Sequence, residues 1–369
     1  MSRMSTGRPP VTGFLIVVLA ASLFGMLGPL SRFAYDAGME PLSFVAWRGA
    51  IGFLAAAGFI GWRVANGREP LTRFGRLGRG ERVTLLVAAL LGFALNLAMF
   101  VSFDLITIAL ALLGFYTYPV IVAVANVVLG REALDRTRVA ALALAVVGMI
   151  AVVAGQLDPA SGIKVNELGI ALALVAAGCQ AAFVVISRDG YPNVPSSQAM
   201  AVVLGTTVVC SVAVAALTGG ATALAFPLND PSVLPLLAFT GLFAAAIPSI
   251  LFLTGIRRIG GTRAGILMLF EPVVGVALAA VLLGESIAPV QILGGVAILA
   301  AAVILQLGAA PTGRTVAAPA IEADEPGGSS DPSASRAPGG SSGPDAAEDR
   351  DGARPRPAGA AVSVDGSST

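Results

Sequence analysis

The chain has 369 residues, of which 56% are hydrophobic and only 12% are charged, and its formal net charge is +1. A soluble domain typically carries about 25% charged residues, so the composition predicts one integral membrane protein rather than several soluble domains. The near-zero net charge argues against a nucleic-acid-binding surface. Histidine, the usual metal ligand and general base, is absent. We therefore expect no metal site, no catalytic residues and no cofactor.

Ten apolar stretches follow one another along the chain. A transmembrane helix needs roughly 20 apolar residues. The stretches that meet or approach this length are 12–31, 41–62, 82–103, 106–129, 137–155, 167–187, 197–217, 232–255, 262–283 and 288–308. The first follows Arg3 and Arg8, as a signal peptide would, but it has no clear cleavage site and is interpreted as a retained helix. The sequence therefore predicts an all-α integral membrane protein with ten transmembrane helices.

The last part of the chain, 309–369, has a different composition. It is rich in Gly, Pro, Ser, Ala and Asp, as in DEPGGSSDPSASRAPGGSSGPD. Because such a segment cannot bury a core, we expect a disordered cytoplasmic tail. Two roles stay open for it, a regulatory or partner-binding segment and a solvated extension without a fixed role, and the second is favoured.

The arginines are distributed unevenly between the two sides of the predicted membrane protein. If the N-terminus is cytoplasmic, 15 arginines fall in or beside cytoplasmic segments before the tail, whereas only Arg32 and Lys164 fall in outside loops. Cytoplasmic loops of membrane proteins are enriched in Lys and Arg. We therefore predict a multi-pass protein of the cell membrane with both termini in the cytoplasm and a single orientation.

Two segments of the chain match at an offset of 153 residues. ITIALALLGFYTYPVIVAVANVVLGREAL (Ile106–Leu134) aligns without gaps with IGGTRAGILMLFEPVVGVALAAVLLGESI (Ile259–Ile287), which places Pro119 opposite Pro272. Each proline is followed thirteen residues later by a glutamate. The predicted domains are a first five-helix repeat, a second repeat and the tail, with the bounds 1–155, 156–308 and 309–369. Because five is odd, the second repeat must be inverted, as in secondary transporters whose substrate site lies near the membrane midplane.

Several short motifs resemble those of a known family. A proline lies deep in the fourth helix of each repeat, LGRE and LLGE end those helices, FVAWRGAIGFLAAA places an arginine early in the second helix, and FEP lies in the ninth. In this order the motifs resemble the EamA-type transporters of the drug/metabolite transporter superfamily, over about residues 13–307. The resemblance implies two inverted five-helix bundles that act as a secondary carrier. Members of that family move amino acids, sugars, nucleobases, polyamines, drugs and other metabolites, often outward.

Two charged residues lie inside predicted helices. Arg48 lies ~10 Å into the second helix, from seven residues at 1.5 Å each, and Glu271 lies near the middle of the ninth. A charge at such depth is costly unless it is paired or hydrated. Arg48 is therefore either an anchor for a substrate carboxylate or phosphate, or a structural residue. Glu271 either contacts substrate or carries a coupling proton, or it holds two helices together.

Four uncharged polar residues complete the candidate binding site: Asn96, Tyr116, Tyr118 and Gln180. Each can hydrogen-bond across helices, which contributes roughly 0.6 kcal/mol on average, and a structural role is favoured for any single one. Tyr118 occupies the position that Glu271 has in the second repeat. The sequence therefore predicts one carboxylate at this level of the membrane.

Two pairs of repeat-related residues have roles that the sequence leaves open. Pro119 and Pro272 each remove a backbone hydrogen bond, so we expect helix bends that either frame the pocket or serve packing alone. Glu132 and Glu285 end their helices at opposite faces, where a carboxylate is poorly placed against the helix dipole. We predict that these carboxylates pair with nearby arginine or amide groups, with a gating role as the alternative.

These features favour a secondary transporter of a small metabolite, amino acid or drug-like solute, working as an alternating-access exporter with protons as the candidate coupling ion. The expected partners are a small-molecule substrate and the lipid bilayer, with no nucleic acid; a homodimer stays open. The alternatives are a membrane enzyme that modifies lipids, for which no cluster of reactive groups is visible, and a membrane scaffold. A G-x-x-x-x-G-K-[ST] motif is absent, which excludes a P-loop ATPase.

Overall fold

The computed structural model describes residues 11–132, 135–155, 165–283 and 287–307. Within these residues all regular secondary structure is helical. Ten helices of 18–29 residues are long and apolar enough to cross a membrane. They are α1 (Val11–Asp36), α2 (Pro41–Ala65), α3 (Arg79–Leu105), α4 (Ile108–Val128), α5 (Arg136–Ala154), α6 (Glu167–Ser187), α7 (Ser196–Thr218), α8 (Pro231–Ile259), α9 (Gly261–Leu282) and α10 (Pro289–Gln306). The prediction of ten transmembrane helices is confirmed. The predicted tail lies outside the described residues.

Local sequence explains where several helices begin and end. The side chain of Asp135 accepts a hydrogen bond from the Arg138 amide at 2.8 Å, and that of Asn166 accepts one from the Gly169 amide at 3.1 Å. These contacts satisfy amides that would have no partner in the first turns of α5 and α6. At the C-terminal end of α7, Gly219 has a φ of 74°. Glycine adopts this left-handed conformation without steric cost, which lets the helix end there.

The first helix is longer than the sequence predicts. The apolar stretch ends at residue 31, but α1 continues to Asp36. Ser31 and Ala34 are fully buried in this last part, and Ala34 packs in a cluster with Phe44 of α2. Tertiary packing therefore keeps a polar stretch helical that hydropathy alone assigns to a loop.

Two helices are interrupted at equivalent positions. The segments are Ile108–Phe115 and Tyr118–Val128 in α4, and Gly261–Met268 and Glu271–Leu283 in α9. Each second segment begins one residue before a proline, Pro119 or Pro272, because proline has no N–H and its ring clashes with the preceding turn. Shorter-range hydrogen bonds of 3.3 and 3.1 Å, from an amide to the carbonyl three residues earlier, close the two breaks.

The two repeats are interleaved through a symmetric set of helix pairs. α2 packs on α7, α4 on α9 and α5 on α10, while α1 packs on α8 and α3 on α6. Renumbering every helix by five converts this set of pairs into itself. The contacts therefore have the pseudo-two-fold symmetry that an inverted repeat requires. The helices of each repeat pack mainly against helices of the other repeat.

Close helix packing depends on glycines at particular crossings. A Cβ atom added at Gly148 of α5 would lie 2.7 Å from the carbonyl oxygen of Gly294 in α10. A Cβ atom added at Gly52 of α2 would lie 3.0 Å from the carbonyl oxygen of Gly241 in α8. Backbones approach this closely only where no side chain intervenes, which is a common device in membrane helices.

Alternation of the ten helices defines two faces of the molecule. The arginine-rich face holds the connections α2–α3, α4–α5, α6–α7 and α8–α9, and it includes six arginines between Arg63 and Arg82. The opposite face holds the connections α1–α2, α3–α4, α5–α6, α7–α8 and α9–α10. These two names are used below.

Candidate functional site

A cavity of ≈ 820 Å³ lies between the two repeats. It is lined by residues from both halves of the chain, including all six predicted binding or coupling residues: Arg48, Asn96, Tyr116, Tyr118, Gln180 and Glu271. Pro272 also lines it. The structure therefore brings together side chains that are as far apart in sequence as Arg48 and Glu271.

Arg48 is held in place by neighbours on two other helices, α3 and α8. It is only 5% exposed. Its Nη1 donates a hydrogen bond to the carbonyl oxygen of Ala244 at 2.9 Å, and its Nη2 donates to Oδ1 of Asn96. The guanidinium also lies 5.3 Å from the ring centroid of Phe100, a distance at which cations are attracted to aromatic faces.

The Ala244 carbonyl is available to Arg48 because α8 changes its winding at this point. Residues Leu242–Ala246 form a π-helical turn, in which the usual i−4 hydrogen bonds are replaced and a carbonyl is released. The third donor of Arg48, Nε, is buried without a hydrogen-bond partner. Arg48 thus has a structural contact and an unused donor at the same time, and it lines the cavity.

Glu271 is the first residue of the second segment of α9. Its side chain is partly exposed, and its open surface lies in the cavity. Tyr116, at the break in α4, lies close enough to interact with the carboxyl group. The two helix breaks therefore place a carboxyl group and a phenol opposite each other deep in the molecule.

Tyr118 and Gln180 lie beside this pair. The Tyr118 side chain is 1% exposed, and its hydroxyl is buried without a partner that meets hydrogen-bond geometry, although Gln180 is close enough to interact with it. Phe115 packs on both tyrosines, with ring centroids 5.5 Å from Tyr116 and 5.2 Å from Tyr118. This wall of the cavity is therefore aromatic with a few polar atoms.

Sequence reasoning missed several polar residues of the cavity. Arg32 and Tyr35 belong to the extension of α1, and Thr207 and Ser249 come from α7 and α8. Arg32 was assigned to an outside loop, because hydropathy ended the first helix too early. Ser249 could have been found, since the preceding Pro248 interrupts an apolar run in the same way as Pro119 and Pro272 do.

The cavity extends toward the opposite face. Its lining includes residues at helix ends or connections on that side, namely Tyr35, Thr107, Gly155, Ile287 and Gln291. Among the described residues that line it, none belongs to a connection on the arginine-rich face. The space between the repeats is therefore accessible from one side.

The arginine-rich face is closed by contacts between the repeats. Glu132, at the end of α4, forms an ion pair with Arg188, at the end of α6, with 2.7 Å between Oε1 and Nη1. Arg131 donates to the carbonyl oxygen of Val185 at 2.7 Å, and Asn126 contacts Thr262 at 3.2 Å. Glu132 thus lies in this closed layer and not in the cavity.

The turn after α6 adds to the same layer. Arg257 of α8 donates hydrogen bonds to the carbonyl oxygens of Val194 and Tyr191 at 2.7 and 3.2 Å. Burial raises the pKa of the Tyr191 phenol above its usual value, so it stays protonated and donates to Oγ of Ser187 at 2.6 Å. These contacts fix the connection between α6 and α7 against α8.

Pro119 is not among the described residues that line the cavity. Pro119 packs against Gly265 of α9, at the crossing of the two broken helices. Glu285, the partner of Glu132 in the repeat, lies outside the described residues.

The fold and the cavity define a class of protein, the helical membrane proteins built from an inverted repeat around a central binding space. The sequence profile of the EamA-like transporter family matches residues 11–154 and 167–307, one match for each repeat. The chain belongs to this family, and the resemblance noted in the sequence is confirmed.

One solved structure, titled only "Crystal structure of protein", aligns with a TM-score of 0.63. The alignment covers 81% of this chain and 98% of that one, at 20% identity. At this identity the likeness supports the fold alone. None of the curated proteins matches this chain.

Proposed function

We propose that this protein is an alternating-access secondary transporter that exports a small organic solute in exchange for protons. The cavity between the repeats carries this proposal, because its described lining holds one carboxyl group, Glu271, and two guanidinium groups, Arg48 and Arg32, within a largely aromatic and aliphatic wall. A binding space near the midplane of two inverted repeats is the arrangement that such carriers use.

The asymmetry between the two faces supports alternating access. The arginine-rich face is closed by the Glu132–Arg188 ion pair and its neighbours, while the cavity reaches the opposite face. Because the repeats are related by a pseudo-two-fold axis, exchanging their conformations would close the open side and open the closed one. A partly exposed ion pair can be broken and re-formed at modest cost.

The proposed exchange for protons sets the direction of transport, and the proposed orientation is consistent with it. With the arginine-rich face in the cytoplasm, the described conformation has its cavity open to the outside. A solute released from this state leaves the cell, and a proton from outside can then reach Glu271.

The polar groups of the cavity fit a solute of mixed character. Arg48 lines the cavity with a positively charged side chain, which suits a carboxylate or carbonyl oxygen. Glu271 with Tyr116 suits a proton or an amine, and Phe100 and Phe115 offer apolar contact. Amino acids and drug-like amines are therefore the first solutes to test.

A flux assay in proteoliposomes tests the function. Purified full-length protein is reconstituted, a panel of labelled amino acids and cationic drugs is supplied, and uptake is measured with and without an imposed pH gradient. We expect saturable uptake of at least one solute, and stronger accumulation when the gradient is present. Absence of flux for every solute in both conditions, from protein that is folded and inserted, would contradict transport.

The same preparation discriminates the two alternatives. A lipid-modifying enzyme would change the composition of the vesicle lipids during incubation, which lipid mass spectrometry detects. A scaffold would give neither flux nor turnover. We expect flux with unchanged lipids.

A further inference from the structure

A second depression in the molecule lies apart from the central cavity. It is a groove of ≈ 400 Å³ between α2 and α7, on the outside of the helix bundle and next to the arginine-rich face. Phe53 forms part of its floor with Gly205, and Val209 stands at its edge with 68% of its surface exposed. Its volume is of the order of one fatty acyl chain, and most of its lining is apolar.

The segment that connects α2 to α3 forms the end of this groove and is held firmly. Glu69 is 8% exposed. It accepts hydrogen bonds from Ser197 at 2.7 Å and from Gln198 at 2.8 Å, and it forms a 3.0 Å ion pair with Arg63. Gln198 in turn accepts a hydrogen bond from the Thr72 amide at 2.9 Å. The connection is therefore fixed on the start of α7.

This fixed connection presents apolar side chains outward. Leu71 is 64% exposed and Phe74 is 47% exposed, and both line the groove. Exposed apolar side chains beside a membrane-spanning helix are stabilised when they contact lipid. The groove therefore continues from the helices into the connecting segment at the level of the membrane surface.

The same segment carries a concentration of positive charge. Five exposed arginines lie in this segment or in the first turn of α3: Arg68, Arg73, Arg76, Arg79 and Arg82. The last four form no ion pair with any residue that the structure describes. Arg73 lies between two residues that line the groove, Thr72 and Phe74. The residues at the end of the apolar groove are thus adjacent in the chain to exposed arginines.

We propose that this groove binds one anionic phospholipid. An acyl chain lies between α2 and α7 along Phe53 and Val209 and under Leu71 and Phe74, while the phosphate is bound by Arg73 with its neighbours. A neutral lipid would use the groove but not the charge of the exposed arginines, and a soluble anion would use the charge but not the groove. An anionic lipid matches both parts. This inference does not depend on what the transporter carries.

Native mass spectrometry of the full-length protein in detergent tests the headgroup. Phosphatidylglycerol and phosphatidylcholine with identical chains are titrated separately, and inorganic phosphate is added as a competitor. We expect phosphatidylglycerol to bind at least tenfold more tightly. Since each surface arginine contributes about a fivefold effect on anionic lipid binding, Arg73→Gln with Arg76→Gln should weaken it roughly 25-fold. Arg258→Gln, an exposed arginine elsewhere on that face, is the control and should have no effect.

A second pair of variants tests the groove. Val209→Trp fills its edge, whereas Val212→Trp places the same side chain at a site that is 49% exposed and outside the groove. We expect only Val209→Trp to weaken phosphatidylglycerol binding, by several fold. Equal binding of the two lipids, full competition by inorganic phosphate at the lipid concentration, or equal effects of the two tryptophan variants would each overturn the proposal. Flux measured in parallel separates this outcome from failure of the transport proposal.

Discussion

At the residue scale, the decisive feature is a pair of ionisable groups that face one cavity in different ways. Two of the three side-chain nitrogens of Arg48 already donate hydrogen bonds within the protein, one to a carbonyl oxygen of α8 and one to Asn96 of α3. Glu271 has Tyr116 as its polar neighbour and keeps open surface in the cavity. We therefore assign proton coupling in the proposed mechanism to Glu271. For Arg48 we propose two roles, to hold α3 and α8 together and to bind the solute.

Replacement of Glu271 by glutamine tests the coupling role. Glutamine keeps the size of the side chain and can still accept a hydrogen bond from Tyr116, but it cannot carry a proton. In proteoliposomes we expect gradient-driven accumulation to fall at least tenfold, while exchange of labelled for unlabelled solute without a gradient persists. Glu167→Gln, an exposed carboxylate in the first turn of α6, is the control. Wild-type accumulation by the Glu271 variant would remove the proton-coupling role.

At the element scale, the breaks in α4 and α9 supply several of the polar side chains that line the candidate binding cavity. The breaks before Pro119 and Pro272 were visible in the sequence as a repeated proline. The sequence also showed that the residue before each proline differs between repeats, Tyr118 in one and Glu271 in the other. The sequence could not show that Tyr116, two residues before Tyr118, lies beside Glu271. That contact depends on how α4 crosses α9.

The glycine crossing of α5 and α10 gives an element-scale prediction. Leucine at Gly148 would collide with the α10 backbone; overpacking typically costs about 1–3 kcal/mol, and more where backbone must move. We expect Gly148→Leu to lower the thermal unfolding midpoint in detergent by several degrees and to reduce yield. Gly58→Leu on α2 is the matched control, since nothing lies within 4 Å of its added Cβ atom. Equal midpoints for the two variants would show that the close approach is unimportant.

At the scale of the whole molecule, the unequal distribution of arginine has two consequences. It predicts the orientation in the membrane, and in that predicted orientation the closed layer around Glu132 and Arg188 lies on the cytoplasmic side. Because the cavity reaches only the opposite face, this orientation makes the described conformation an outward-open state in our proposal. An inverted orientation would instead make the described conformation open to the cytoplasm.

Cysteine labelling in intact cells measures the orientation directly. Cys179 and Cys210 are first replaced by alanine, and single cysteines are introduced by Gly75→Cys on the arginine-rich face and Ala37→Cys on the opposite face, both at exposed positions. A membrane-impermeant maleimide should label the Ala37 variant at once, and the Gly75 variant only after the cells are permeabilised. The reverse pattern would refute cytoplasmic termini.

The sequence by itself determined the class of fold, the ten helices, the inverted repeat and the family, because length, hydropathy and repeated prolines are local properties of the chain. It also identified six side chains that line the cavity, since polar groups inside apolar helices are rare and costly. Only the tertiary structure decided which of them meet, that Arg48 caps a π-helical turn, that Arg32 and Ser249 join the cavity and that Glu132 pairs with Arg188. These facts depend on the crossings of interleaved helices, where contacts between residues 56 to 196 positions apart are set by packing and not by local pattern.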